Sequence, residues 1–341
     1  MSDGSGALFR LERTPPDRRC RRFHSNFGSA RGTFVAVSLD DLPGWLASWC
    51  RRHLKSAPVD VLFQLQRIST VVGLRLADGT DVVVKARADD GRARSCVAAQ
   101  ARLAERGAPC ARPLTPVVGV GALAVHAEKL QAGGAVLHGD SPDVAVRYAT
   151  VFAHLMGELA EVRVAPPLPN PRWVRWDHTD PGVWPTVRGL DERDQGVVPA
   201  HVVNTAGRAR TRLLAADLPC VLGHADFEAQ NLRWHDGNVW AVHDWDSLAW
   251  QPEAALVGAA SGAFPKLGPA TLPPIESSEV FLATYQELRG RGFTPAEQEI
   301  AWAASLWPAA HDVRWEALHG DTGCGHAPRT QAAERLRRAN A

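Results

Sequence analysis

The segment Gly223-His224-Ala225-Asp226-Phe227-Glu228-Ala229-Gln230-Asn231 sets a carboxylate and a carboxamide five residues apart, and His243-Asp244-Trp245-Asp246 follows a little later. A carboxylate can take a proton from a hydroxyl. A carboxamide oxygen and a second carboxylate are hard ligands of the kind Mg²⁺ accepts, because that ion keeps several waters and takes few protein oxygens. The same stretch admits a second chemistry, in which His224, Asp226, His243, Asp244 and Asp246 gather as the His/carboxylate metal site of a hydrolase. Taken singly, each of these residues is ordinary in a turn or a capped loop. What sets them apart is the intervening sequence. Leu232-Arg233-Trp234 and Val239-Trp240-Ala241-Val242 flank His235-Asp236-Gly237-Asn238, whose Asp-Gly and Gly-Asn pairs are hairpin-turn signals. An antiparallel hairpin there returns Asp244 to the mouth where Asn231 sits.

The pattern H-x-D-x-x-x-x-N, a strand, then Asp resembles the catalytic and metal-binding segments of protein kinases, with Ala225 in place of the kinase arginine. That departure resembles the aminoglycoside phosphotransferase family and its small-molecule kinase relatives. The resemblance spans roughly residues 40–320. It implies an α+β, bilobal protein-kinase-like fold with a β-rich N-lobe carrying one key helix and a mainly helical C-lobe. It further implies transfer of the terminal phosphate of ATP or GTP, with Mg²⁺, to a hydroxyl of a small molecule. An antibiotic is the first acceptor class, and choline, homoserine or a sugar-like metabolite the alternative. Under this reading Asp226 is the base, Asn231 and Asp244 hold the metal, and His224 is a scaffold for the loop. Asp246, Glu228 and Trp184 are candidates for the acceptor pocket or for support of the metal.

A kinase also needs a cation on the phosphates. Only four lysines occur, Lys55, Lys85, Lys129 and Lys266, against 34 arginines. Lys85 closes the run Asp81-Val82-Val83-Val84-Lys85 and resembles the lysine of the third N-lobe strand, though a lysine there also suits a plain edge strand. Between two expected strands, Asp60 to Gln66 and Val71 to Leu76, the turn Arg67-Ile68-Ser69-Thr70 lies where the family covers the phosphates. Ser69 and Thr70 are candidate phosphate contacts. Backbone groups from Ala127 to Leu130, Glu128 and Leu130 among them, are the expected purine contacts by resemblance. One position departs from the family. Leu103-Ala104-Glu105-Arg106-Gly107-Ala108-Pro109 matches the end of its N-lobe helix, and counting back puts Cys96 where the lysine's glutamate partner belongs. Gln100 is a weak substitute and Glu105 falls too near the helix end. A nucleotide-binding regulator without turnover is the reading this departure favours.

Length and composition suit two lobes: 341 residues, 45% hydrophobic and 22% charged. No apolar run is long enough to span a bilayer, and Met1 to Gly6 has no signal-peptide layout. Six scattered cysteines without C-x-x-C pairs predict reduced thiols and a cytoplasmic enzyme. Residues 1–130 hold 20 Lys/Arg and 12 Asp/Glu, an excess of +8, while residues 131–341 hold 18 and 25, an excess of −7. A basic front half suits a polyphosphate, and an acidic back half suits a neutral or cationic acceptor. Arg18-Arg19-Cys20-Arg21-Arg22 is read as a solvated tail, so neither nucleic acid, membrane nor an obligate protein partner is expected.

The elements that position these groups follow. Residues 1–130 form the nucleotide-binding lobe with an N-terminal extension, and residues 131–341 the lobe with the catalytic loop, metal site and acceptor site. Residues 1–37 read as loose or partly strand-forming. Ser38 reads as the cap of a helix from Leu39 through Leu54, and a second helix covers Ser95 to Arg106. Helices are expected from Pro142 to Val162, Ala200 to Ala216, Glu276 to Arg289 and Pro295 to Leu318. The Pro- and Trp-rich stretch over 164–185, with Trp173, Trp176 and Trp184, either walls an acceptor pocket or staples a loop.

Overall fold

The computed structural model describes residues 38–66, 69–164, 168, 170–320 and 326–341. The expectations for residues 1–37, for Arg67 and Ile68, and for Pro166, Pro167 and Pro169 lie outside the described residues.

The N-lobe is a five-stranded antiparallel sheet in the order β1-β2-β3-β5-β4. Its strands are β1 (Pro58–Gln66), β2 (Thr70–Leu76), β3 (Asp81–Ala88), β4 (Val118–Val120) and β5 (Leu123–Lys129). Alternation sorts its faces. Val72, Leu74, Leu76, Val82, Val84, Ala86, Val125 and Ala127 pack on Leu46, Trp49 and Cys50 of helix α1 (Leu46–His53). The opposite face, carrying Lys85, His126 and Glu128, turns toward α2 (Ala93–Glu105) and the C-lobe.

Two readings of the N-lobe need correction. The expected helix from Leu39 to Leu54 is split. Ser38 caps only a 3₁₀ turn over Leu39–Asp41, with a reciprocal capping box to Asp41. Pro43 then forces Leu42 into extended backbone, and α1 starts afresh at Leu46. Lys85 does not end its strand, because β3 continues to Ala88 and the lysine lies mid-strand.

The C-lobe is helical around two short ribbons. Helix α3 (Pro142–Ala160) starts as its sequence demands, with Ser141 accepting from the Val144 N–H and Pro142 in the first turn. Tyr148 and Phe152 of α3 meet Phe227, Phe264, Phe281 and Tyr285 in the centre of the core. Around them lie α4 (Arg188–Asp191), α5 (Ala200–Leu214), α6 (Glu253–Ala263), α7 (Ile275–Leu288), α8 (Pro295–Ala304), α9 (Trp307–Leu318) and α10 (His326–Arg338). The helix expected over Pro295 to Leu318 is two helices, α8 and α9. Pro308, in the first turn of α9, has no N–H to continue the α8 ladder. Helix α6 crosses α8 so closely that a Cβ on Gly258 would stand 2.1 Å from the Ala301 carbonyl oxygen, and one on Gly262 2.1 Å from that of Ser305.

The ribbons position the site. Strands β6 (Cys220–His224) and β9 (Leu248–Pro252) pair antiparallel, and β7 (Leu232–His235) pairs with β8 (Asn238–Val242). Asp236 and Gly237 both have positive φ, 49° and 78°, the requirement of the mirror-image hairpin turn that Asp-Gly favours. Neither β6, β9, α6 nor α10 is evident in the sequence.

Candidate active site

His224 ends β6 and faces Leu248 at the start of β9, so the loops leaving these strands emerge side by side. The Ala225 N–H donates to the Ser247 carbonyl at 2.9 Å, which ties the two loops together. His224 is fully buried and locks them further. The Asp226 N–H donates to its Nδ1 at 3.3 Å, so the proton sits on Nε2, which donates to the His243 carbonyl at 3.0 Å. Burial pushes the imidazole pKa down, consistent with this neutral tautomer.

Asn231 closes a 3₁₀ turn over Ala229–Asn231, and the turn folds its amide back on the loop. Asn231 Nδ2 donates to both the backbone oxygen and Oδ2 of Asp226, each at 2.9 Å. Its side-chain oxygen Oδ1 makes no hydrogen bond among the described residues and could face a cation. The His243 N–H donates to the Asn231 carbonyl at 2.8 Å, so the hairpin brings Asp244 back beside Asn231. Asp244 adopts left-handed backbone at φ 59°, a conformation Asp tolerates better than most residues. One of its carboxylate oxygens accepts from Ser247 Oγ at 2.8 Å. An amide oxygen and a carboxylate, both hard donors, suit Mg²⁺ with phosphate and water completing its shell.

Asp226 is an acid held among like charges. Burial raises its carboxyl pKa well above the usual carboxylate range, the neighbouring Glu228 and Asp244 carboxylates push the same way, and Lys266 opposes them. Lys266 is ion-paired with Glu228 at 3.0 Å and Asp312 at 2.6 Å. Burial alone would lower the Lys266 ammonium, but Asp312 and Glu228 hold it well above its ordinary value. These groups line a cavity of about 40 Å³. Its walls are Trp173 and Trp176 from the Trp-rich stretch and Trp307 and His311 from α9. Burial pushes the His311 imidazole down to about 4, so the ring is neutral, and its buried Nε2 has no hydrogen-bond partner among the described residues.

The remaining sequence candidates fall in different places. Trp184 does not line the cavity. It stands behind the wall, with ring centroids 5.6 Å from Trp307 and 6.5 Å from His311. Asp246 is also outside it, buried and ion-paired with Arg87 of β3. Glu228 lines the cavity as part of the Lys266 cluster. Thr70 opens β2 next to Val71, which faces Lys85 across the sheet, and Ser69 precedes it. The Leu130 N–H donates to the Asp81 carbonyl at 3.0 Å, and the Glu128 side chain lies 3.0 Å from Lys85. The His/carboxylate hydrolase cluster does not assemble. His224 uses both ring nitrogens on backbone, Asp246 is held by Arg87, and no group of three or more His, Cys, Asp or Glu forms a metal-binding set among the described residues.

Sequence reading missed Lys266, His311, Asp312 and Trp307. Lys266 lies in the loop Phe264-Pro265-Lys266-Leu267-Gly268, which carries no motif, and the other three belong to α9, where ordinary helical patterning masks them. The rarity of lysine was the one available signal for Lys266.

Solved structures with the same fold include an amicoumacin kinase in complex with AMP-PNP and Ca²⁺, at 13% identity and TM-score 0.57, covering 82% of this chain and 88% of that one. An aminoglycoside phosphotransferase aligns at 15% identity and TM-score 0.50 over 86% of this chain and 95% of that one. A spectinomycin phosphotransferase in complex with ADP and spectinomycin aligns at 10% identity and TM-score 0.50 over 86% and 92%. No protein-family model and no curated protein sequence matches the chain. At such identities the likeness establishes a protein-kinase-like bilobal fold. No described helix is long and apolar enough to cross a membrane.

Proposed function

We propose that this chain transfers the terminal phosphoryl group of ATP or GTP to a hydroxyl of a small molecule. The observation that carries the reading is the position of Asp226. Its carboxylate lines a tryptophan-walled cavity and is hydrogen-bonded to Asn231, the residue that stands beside Asp244. The proposed base thus lines the proposed acceptor cavity and is joined by one hydrogen bond to the first of the proposed cation ligands. Phosphoryl transfer demands little more of a protein than this positioning and charge.

In this reading an acceptor hydroxyl enters between Trp173, Trp176 and Trp307 and donates to Asp226, which takes its proton. Lys85 meets the phosphates from the sheet. Asn231 and Asp244 would hold Mg²⁺, which supplies charge neutralisation at the phosphates when bound. Neutral His311 offers its free Nε2 to a polar group of the acceptor. A cavity of about 40 Å³ holds little more than the reacting hydroxyl and its carbon, so the rest of the acceptor lies at the mouth or displaces the tryptophans. In this reading residues 1–130 form the nucleotide-binding lobe and residues 131–341 the other, the boundary following the last sheet strand, which ends at Lys129.

An antibiotic is the first acceptor class to test, because the similar solved structures are antibiotic kinases by name. A metabolic acceptor such as choline or a sugar-like molecule is the second reading, favoured by three tryptophans that suit a cation–π or ring-stacking contact. Purified protein with Mg²⁺ and ATP or GTP, incubated with both acceptor panels, is expected to add one phosphate to a compound, read by mass spectrometry and absent in Asp226→Ala. Transfer that survives in Asp226→Ala would remove the assignment of the base.

A further inference from the structure

Lys85 is the group expected to meet the nucleotide phosphates, yet α2 offers it no acid. The buried face of α2 carries Cys96 and Gln100, and the helix's one acid, Glu105, is its exposed last residue. The sheet register provides an alternative. Val83 faces Glu128 and Lys85 faces His126, so Lys85 and Glu128 are diagonal neighbours on one face of adjacent strands, a spacing long side chains bridge. Lys85 Nζ lies 3.0 Å from Glu128 Oε1, with both side chains buried. His126, directly opposite the lysine, is no counter-ion, because burial first and Lys85 second push its imidazole down to about 3. Gln100 Nε2 donates to the other oxygen of Glu128 at 2.8 Å and to the Ala111 carbonyl at 2.8 Å.

Building on the phosphotransferase reading, we propose that Glu128 on β5 is the carboxylate that orients Lys85 toward the nucleotide phosphates, and that α2 acts on the pair only at one remove, through the Gln100 amide. Glu128 is thus a positioning residue. It fixes the ammonium on the cleft face of the sheet and relieves the cost of burying that charge. The pair lies within a single sheet, so it does not depend on the placement of α2. Helix α2 is fastened elsewhere: Arg92 at its head donates to the backbone oxygens of Asp246 at 2.6 Å and Leu248 at 3.1 Å, beside the metal-binding loop. Sheet and helix therefore divide the labour, the sheet setting the phosphate cation and the helix setting the metal loop.

The test uses the full chain, Mg²⁺, AMP-PNP for binding and ATP with the best acceptor for turnover. Glu128→Gln keeps the shape and the Gln100 contact but removes the charge. Its kcat is expected to fall between about tenfold and a hundredfold, with weaker AMP-PNP binding and an unchanged acceptor KM. The exchange variant Gln100→Glu/Glu128→Gln returns a carboxylate to the lysine from the helix side and is expected to recover about tenfold or more of that loss. A purely structural Glu128 would lower the Tm of Glu128→Gln without moving kcat or AMP-PNP affinity in the folded protein, and this result overturns the proposal. Should Glu128→Gln fail to fold, the exchange variant decides: near-wild-type turnover supports a charge requirement, and a folded exchange variant without nucleotide binding overturns it. A wild-type chain that binds no AMP-PNP removes the phosphotransferase reading itself, and the proposal with it.

Discussion

The guanidinium of Arg92, at the head of α2, donates to the backbone oxygens of Asp246 and Leu248, which lie more than 150 residues away in the chain and flank the turn after Asp244. The head of α2 therefore holds the loop that follows Asp244. Arg92→Met keeps the length and leaves two buried carbonyl oxygens without that donor, at a cost of about 1–3 kcal/mol for each. The expected outcome is a lower Tm together with a weaker Mg²⁺ dependence of nucleotide binding. Thermal unfolding and a Mg²⁺ titration of AMP-PNP binding measure both, and an unchanged titration would separate Arg92 from the proposed metal ligands.

Asp226→Ala is expected to lower phosphate transfer by about 10²- to 10⁴-fold, the range that a positioned base contributes. Nucleotide affinity should stay within about threefold of wild type, because Asp226 is not placed on the phosphates. Steady-state turnover beside direct AMP-PNP binding separates the two quantities.

Lys266→Met leaves the buried Glu228 and the half-buried Asp312 without their shared cation. Breaking a buried ion cluster in this way costs roughly 3–5 kcal/mol. Unfolding in urea should show a lower midpoint. Glu228→Gln in the same background should restore part of the loss by removing one of the stranded charges, and no restoration would mean the three groups are not energetically coupled.

Glu128 gives a pH signature. Burial raises its carboxyl, but Lys85 and the Gln100 amide outweigh that and hold it below its ordinary value. A depressed folded value contributes stability that is present above the unfolded pKa of about 4.3 and is lost as pH falls through the folded value. The Tm difference between wild type and Glu128→Gln, about 3 kcal/mol in free energy at neutral pH, should stay level from about pH 8 to pH 5 and close only below about pH 4. A difference that closes between pH 5 and 7 would contradict the depressed carboxyl.

Gly258→Ala puts a methyl 2.1 Å from the Ala301 carbonyl oxygen, a rigid backbone neighbour. Helices α6 and α8 must then separate, a cost of about 1–3 kcal/mol. Circular dichroism melts should show a lower Tm, whereas Gly189→Ala, which meets nothing within 4 Å, serves as the neutral control.

The segment from His224 to Asp244 was legible because its information is local. Asp-Gly within a short polar turn dictates the β7–β8 hairpin, and covalent spacing alone then returns Asp244 to Asn231. The antiparallel sheet around Lys85 followed from its run of β-branched residues, and α3 from its apolar stripe and Ser141-Pro142 start. Local patterns misled where a proline interrupted them, as at Pro43 and Pro308, and missed β6 and β9, whose short apolar runs acquire their identity only by pairing with each other.

The sequence by itself determined the loop, the hairpin and the residue types that could move a proton and hold a hard cation, because turn chemistry and chain spacing act over a few residues. Only the tertiary structure decided which charges meet. The counter-ion of Lys85 comes from β5 rather than α2, Lys266 and Asp312 join Glu228 beside Asp226, and Trp307 rather than Trp184 faces the cavity. Pairings of this kind are set by burial and by the register of distant strands and helices. An ion pair is worth forming in the interior only where packing excludes water and brings both partners within reach, and neither condition is written in local spacing.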